Sequence, residues 1–279
     1  MCDSTRMQMN NSSLTAEQAA DSTGKWEIPP GVSPDYSVVV PFFNEADAAP
    51  VLLAEILSVM HTLPGIPECI CIDDGSSDST ASILQQWAEK HGSIFRVIRL
   101  PVNRGQAAAL LHGLLAARGD AVVTMDGDCQ NDPADIPLLL RELEHADLVC
   151  GIRAQRHDNT LRRVMSRIAN MVRGRLLGDG MRDSGCALKA MRREVIRSLV
   201  PIRTLYSFIP AMAVAAGFRV REVPVNHRAR SGGTSNYGFL KFAIMPLVDM
   251  LGLLWYRKRC ILRQQDCLGA IQPTGGKSR

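Results

Sequence analysis

The sequence predicts an α/β protein whose mostly parallel sheet is flanked by helices on both faces. Three observations lead there. Apolar stretches at strand and helix periodicity alternate four times between residues 36 and 151. The polar motifs stand where apolar strands give out, which is where open α/β sheets bind ligands. A chain of 279 residues, 46% hydrophobic and 22% charged, is long enough for a sizeable core.

Ser37-Val38-Val39-Val40-Pro41 is a short β-branched run and the first strand. A helix follows from about Ala46 to Thr62, with Ala48, Val51, Leu52, Ile56, Val59 and Met60 as its apolar stripe. Cys69-Ile70-Cys71-Ile72 is the second strand and closes on Asp73-Asp74-Gly75-Ser76. Asp78-Ser79-Thr80 can cap a helix reaching about Lys90. Arg96 to Leu100 reads as the third strand, followed by Asn103-Arg104-Gly105 and an Ala/Leu-rich helix to Ala117. The fourth strand opens with Ala121-Val122-Val123 and runs into Asp126-Gly127-Asp128-Cys129-Gln130; a helix from near Pro133 then leads to Ala146. Asp147 to Gly151 and Phe218 to Val225 are further strands.

Residues 1–35, rich in Ser, Asn, Gln and Pro, read as a flexible tail. The expected domain spans 36–236, amphipathic helices 237–260, and a polar tail 261–279. Eight cysteines without a C-x-x-C pair or zinc spacing make neither a disulfide framework nor a zinc site, and suit a reducing cytoplasm. No secretory h-region is present, and the apolar run Phe239 to Tyr256 is broken by Lys241, Pro246 and Asp249, so no spanning helix is expected. A net charge of +4 implies no nucleic-acid binder. Neither a G-x-G-x-x-G after the first strand nor a P-loop occurs.

On extended backbone, Asp126, Asp128 and Gln130 point the same way, and Gly127 between them leaves room for a bulky anion. Oxygen ligands of this kind suit Mg²⁺ or Mn²⁺, which take a carboxylate or two plus substrate phosphates. An isolated D-x-D is usually a solvated strand exit; its place among the other strand-end motifs argues against that here. Asn44, Glu45, Asp73, Asp74 and Asp78 at the first two strand ends can accept hydrogen bonds from a base N–H or ribose hydroxyls. Asp78 alone is equally well a plain N-cap.

The second half is basic. Residues 153–175 hold seven arginines and one acid, and Leu161 to Leu177 is amphipathic. A second basic cluster, His227 to Asn236, contains two glycines. Arginine is the residue for bidentate phosphate binding, although a basic helix face is often only solvated.

Val40-Pro41-Phe42-Phe43-Asn44-Glu45, Asp73 to Asp78, Asn103 to Ala108 and Asp126-Gly127-Asp128 resemble, in order, four motifs of family 2 glycosyltransferases. The resemblance implies a GT-A (Rossmann-like) fold, a nucleotide-diphosphate-sugar donor and inversion at the anomeric carbon. It carries the nucleotide-sugar site to Pro41, Asn44, Glu45, Asp73, Asp74, Ser76, Asp78, Asn103, Gly105 and Gln106. Asp128 and Gln130 would hold the metal, with Asp126 near metal and sugar. The second half is similar to the polyprenyl-phosphate branch, the dolichol-phosphate-mannose-synthase-like enzymes. Arg163-Val164-Met165-Ser166-Arg167 resembles their R-x-x-S-R acceptor helix, and Arg230, Gly233 and Ser235 their R-x-x-G-x-S loop. Asp183 to Ala190 is similar to the segment that joins these elements. The resemblance thus implies acceptor-phosphate contacts from Arg153, Arg162, Arg163, Ser166, Arg167, Arg230 and Ser235, with Asp126, Asp128 and Arg230 as the catalytic residues. Two departures are Gly127 for the commoner Ala and Asn236 for Lys.

A phosphate monoester is largely ionised at neutral pH, its second pKa being about 6, so it needs no strong base to attack a sugar carbon. The expected reaction takes GDP-mannose or a UDP-hexose to a polyprenyl (dolichyl or undecaprenyl) phosphate, with Mg²⁺ or Mn²⁺, at the cytoplasmic face of a membrane. Trp255-Tyr256 beside Arg257-Lys258-Arg259 suits a peripheral contact with that surface; a core helix ending in surface charges is the equal alternative. A soluble or glycan acceptor would need a base, for which Asp183 is the candidate; a non-catalytic scaffold would need none of the acids.

Overall fold

The computed structural model describes residues 27–153, 173–228 and 239–259. Its strands and helices are β1 (Tyr36–Phe42), α1 (Ala48–Thr62), β2 (Pro67–Asp73), α2 (Thr80–His91), β3 (Phe95–Arg99), α3 (Gln106–Ala116), β4 (Ala121–Thr124), α4 (Ile136–Glu142), β5 (Leu148–Arg153), β6 (Lys189–Arg192), α5 (Arg193–Ile196), α6 (Leu205–Ala215), β7 (Val220–Val225) and α7 (Phe239–Arg259). They build a seven-stranded sheet in the order β3-β2-β1-β4-β6-β5-β7. Strands β3, β2, β1 and β4 are mutually parallel, as are β5 and β7. Strand β6 enters between β4 and β5 and runs against both. The architecture is the mostly parallel, helix-flanked GT-A sheet that the sequence predicts.

Side-chain alternation divides the core in two. Val38, Val40, Phe42, Cys69, Cys71 and Val123 face α1, α2 and α4. Val39, Ile70, Ile72, Val122 and Leu148 face α3, α6 and α7. On α1, Leu52, Leu53, Ile56 and Met60 recur at helical spacing and are buried, whereas Val51, read as part of the stripe, is exposed. The four parallel strands share one carboxyl edge, and their order reverses between β1 and β4. The first motif and the D-x-D loop therefore meet at the switch point of the sheet.

Helix α7 has two characters. Met250 and Leu253 are buried in the second core face, and Asp249 Oδ2 accepts both the backbone N–H (2.9 Å) and the hydroxyl (2.6 Å) of Thr204 ahead of α6. Arg257 Nη1 donates to the carbonyl of Leu177 (2.7 Å). On its other side Leu247, Val248, Leu251 and Trp255 are exposed, Trp255 by 64%. One side of the helix is thus core, as one of the two expectations had it, and the other is an exposed apolar surface ending in basic residues. No helix among the described residues is long and apolar enough to cross a membrane.

The opposite edge of the sheet is fastened by a fully buried acid. Glu68 accepts from Arg96 Nη1 (2.7 Å), Arg118 Nε (2.6 Å), the Arg118 amide (3.1 Å) and the Ser37 hydroxyl (2.8 Å). The Ser37 hydroxyl in turn accepts from the Gly119 amide (2.9 Å). Burial pushes the Glu68 pKa up, but the bonds from Arg96, Ser37 and Arg118 outweigh it and hold the carboxyl below its ordinary range. A depressed folded-state pKa stabilises above the unfolded value and loses that contribution as pH falls through the folded value. Because Arg96 and Arg118 are 34% and 44% exposed, screening reduces the effect. Glu68→Ala is expected to cost about 2–3 kcal/mol at neutral pH, and to flatten the loss of stability below about pH 4. Urea unfolding at pH 7 and across the acid limb reads both.

Candidate active site

The carboxyl edge is built from loops whose amide groups need acceptors, and side chains of the sequence motifs supply them. Asn44 takes a left-handed backbone (φ 54°) just after β1. Its amide donates to Ser76 Oγ (3.0 Å), and its side-chain Oδ1 accepts from the Ser77 amide (2.8 Å). The Glu45 amide donates to Thr80 Oγ1 (2.9 Å), and the Ala46 amide to Asp78 Oδ2 (3.3 Å). Asp78 Oδ1 accepts from the Thr80 amide (2.9 Å). Asn44, Ser76 and Asp78 thus knit the first two strand-end loops together, and Asp78 is an exposed residue at the start of α2.

Asp73 and Asp74 divide two tasks. Asp74 is buried and receives the amides of Arg104 (2.7 Å) and Gly105 (2.8 Å), joining the second motif to the third. Burial raises its pKa against those two bonds. Asp73 Oδ1 accepts from the Ser76 amide (3.0 Å). Its Oδ2 is buried and has no hydrogen bond, with Arg99 Nε 3.4 Å away. An unsatisfied carboxylate oxygen in such a place suits a ligand N–H or hydroxyl. Gly75 explains the closeness of the two loops. At φ +69° it favours glycine, and a Cβ there would stand 2.6 Å from the Val102 carbonyl carbon.

The fourth motif lies in a turn. Strand β4 stops at Thr124, and Gly127 to Cys129 turn back, Cys129 with φ 61°. Alternation on extended backbone, the sequence argument for convergence, is therefore replaced by a loop. Asp128 Oδ1 accepts from the Gln130 amide (3.1 Å), and Asp126 Oδ1 from Gln106 Nε2 (2.5 Å). That last bond joins the third motif to the fourth. The missing side chain of Gly127 leaves no room for an anion: a Cβ would stand 2.7 Å from the Pro41 carbonyl oxygen and from Phe42 Cδ1. Its smallness serves the contact with β1.

Burial, followed by the charge of Asp128, pushes the Asp126 pKa up to about 6, with Lys189, Gln106 and Arg153 pulling it the other way. Among the described residues no group of three or more His, Cys, Asp or Glu is placed to cage a metal. Two acids and an amide oxygen on one loop fit a hard cation that completes its coordination with substrate oxygens, as Mg²⁺ and Mn²⁺ do. Asp126, Asp128 and Gln130 are the residues that would hold it.

On the expected acceptor side, Arg153 ends β5 and grips Asp183 fork to fork, Nε to Oδ2 and Nη2 to Oδ1, both 2.8 Å. Asp183 also receives the Arg153 amide (3.3 Å). Its charge is compensated by Arg153, which argues against a proton-accepting role. Arg173, one of the seven arginines, is buried, bonded to the Ser207 carbonyl (2.9 Å) and 3.4 Å from Asp179. Arg162, Arg163, Ser166, Arg167, Arg230 and Ser235 lie outside the described residues. Asn103 is exposed beside the edge, while Pro41, Glu45 and Gly105 are half-buried within it.

Two residues escaped the sequence reading. Lys189 is fully buried in β6 opposite Thr124, and its Nζ donates to the carbonyls of Ser184 and Cys186. A lysine inside Ala187-Leu188-Lys189-Ala190-Met191 was the available signal, since a buried charge needs a reason. Asn131, also buried, accepts the Asp126 amide on Oδ1 (3.2 Å). Nothing in its local sequence marks it.

A reversed-order α/β sheet with a D-x-D loop at its switch point defines a GT-A glycosyltransferase. The chain belongs to glycosyl transferase family 2, whose family model matches residues 37–200. It is 36% identical over 234 residues to a dodecaprenyl-phosphate galacturonate synthase of Rhizobium johnstonii, covering 82% of this chain and 69% of that one. It is 38% identical over 219 residues to an undecaprenyl-phosphate 4-deoxy-4-formamido-L-arabinose transferase of Serratia proteamaculans, covering 78% and 67%. Among solved structures it resembles the glucosyl-3-phosphoglycerate synthase of Mycobacterium tuberculosis in complex with Mn²⁺, UDP-glucose and phosphoglyceric acid. That likeness has TM-score 0.59 at 22% identity, over 84% of this chain and 86% of that one, and concerns the fold.

The two acids that knit the loops are expected to differ in weight. Asp74→Ala strips a buried acceptor from two amides and should cost about 2–4 kcal/mol, whereas Asp78→Ala at an exposed cap should cost about 1 kcal/mol. Urea unfolding ranks them, and hydrogen exchange at the Arg104 and Gly105 amides should accelerate only in Asp74→Ala.

Proposed function

We propose that the protein transfers a sugar, with inversion, from a nucleotide-diphosphate sugar (GDP-mannose or a UDP-hexose) to a polyprenyl phosphate. The contact that carries the donor half is Gln106 Nε2 on Asp126 Oδ1, which draws the third motif onto the D-x-D loop. The polyprenyl phosphate is supported by the names of the family relatives at 36% and 38% identity. Asp73 and Glu45 would receive base or ribose donors. Asp126, Asp128 and Gln130 would hold Mg²⁺ or Mn²⁺, which when bound supplies positive charge for the leaving diphosphate.

The residues of this chain then have mostly electrostatic and positioning work. An ionised phosphate oxygen attacks the anomeric carbon without giving up a proton, so this acceptor makes no demand on Asp183, which Arg153 already engages. Arginines must hold that like-charged nucleophile beside the donor; Arg162, Arg163, Arg167 and Arg230, with Ser166 and Ser235, are assigned this task by resemblance. The exposed apolar side of α7, with Trp255, Tyr256, Lys258 and Arg259 at its end, supports a peripheral contact with anionic lipid at the cytoplasmic face, from which the acceptor is drawn.

The decisive assay offers GDP- and UDP-sugars with short polyprenyl phosphate and Mn²⁺ or Mg²⁺, and follows label into the organic phase. Transfer from at least one donor is expected, and Asp128→Ala should lower it about 100-fold or more. No transfer from any donor would overturn the lipid acceptor.

A further inference from the structure

The chain leaving β7 is stapled along the D-x-D loop by side chains that the donor and acceptor motifs do not include. Asn226 donates its amide to Asp135 Oδ2 (2.7 Å) and its Nδ2 to Oδ1 (3.1 Å). His227 and Asn131 form an antiparallel bridge, and the Arg228 amide donates to the Gln130 carbonyl (2.9 Å). The Arg228 guanidinium then spans two elements. Nη1 reaches both carboxylate oxygens of Glu55 on α1 (2.9 and 2.7 Å), and Nη2 reaches Asp132 Oδ1 (2.8 Å).

We infer that Arg228 is a positioning residue for the cation-binding loop, fixing Asp128 and Gln130 relative to α1. This deepens the proposed function and rests on its cation site. Three distances make the case. Asn131, bridged to His227, holds the Asp126 amide through Oδ1 at 3.2 Å. Asp132, held by Arg228, also caps the turn that follows by accepting the Ala134 amide (3.0 Å). Cys129, between the ligands, is buried and lies 3.5 Å from the Ala48 carbonyl at the head of α1. The loop is thus seated on α1 at Cys129 and drawn to the same helix again through Arg228 and Glu55. An isolated surface ion pair contributes little, but a planar fork shared by two carboxylates from separate elements fixes geometry as well as charge. A shift of the loop would reach Asp128 and Gln130 directly, since the Gln130 carbonyl accepts from the Arg228 backbone amide.

The test is Mn²⁺ binding, read by electron paramagnetic resonance in the presence of UDP and, in a parallel arm, GDP; it requires no sugar transfer. Arg228→Met is expected to weaken Mn²⁺ binding about 10-fold, the usual effect of losing an outer-shell partner. Arg228→Lys should recover part of this, because one ammonium can serve only one acid. Glu55→Gln should weaken binding less, and Arg228→Met combined with Glu55→Gln no more than Arg228→Met alone, since both act through one contact. Mn²⁺ binding by Arg228→Met within twofold of wild type, or additive losses in the double variant, would overturn the inference. If Arg228→Met fails to fold, Arg228→Lys and Glu55→Gln decide it: Mn²⁺ binding weakened more than twofold in either one upholds the inference, and binding within twofold of wild type in both overturns it. A wild type that binds Mn²⁺ but transfers no sugar to polyprenyl phosphate sinks the acceptor reading and leaves the clamp standing; one that binds no Mn²⁺ removes both.

Discussion

Backbone amides at the carboxyl edge of the sheet must find acceptors, and most of the site follows from that need. Parallel strands end together, so their loops crowd into one place with donors that no ladder satisfies. Asp74 accepts from Arg104 and Gly105, Asn44 from Ser77, Asp78 from Thr80 and Ala46, and Asn131 from Asp126. Each bond crosses between segments or closes a turn. The site is a scaffold first, and within it the buried Asp73 Oδ2 is a carboxylate oxygen that none of these loop amides reaches.

That double use explains what could be read in advance. Strand and helix periods gave the order of elements because one sheet with two covered faces demands alternation along each strand. The motif positions followed, since they sit at the common edge. Residue types alone cannot tell a ligand from a loop acceptor, however: Asp73 and Asp74 are neighbours of identical chemistry, and only the fold separates their roles. The turn at Gly127 to Cys129 had a local signal in the Asp126-Gly127 dipeptide, but the alternation of Asp126, Asp128 and Gln130 reads equally well as extended backbone.

The basic half was harder to read for an electrostatic reason. Counting arginines treats each as available, yet Arg153, Arg173 and Arg228 all have carboxylates of the chain itself within reach. Long-range pairs such as Arg228 with Glu55 leave no local trace in the sequence. Lys189 leaves a faint one, a charge in an apolar strand, and its place opposite Thr124 brings a cation near Asp126 without touching the surface.

Helix α7 carries a consequence for how the chain can be cut. Asp249 caps α6 through Thr204, Met250 and Leu253 fill the second core face, and Arg257 closes on Leu177. A fragment truncated ahead of Phe239 would open a cavity beneath α6 and uncover its first turn. The exposed and the buried sides of α7 belong to one helix, so its apolar surface is better altered by replacing Leu247, Val248, Leu251 and Trp255 with polar residues than by shortening the polypeptide.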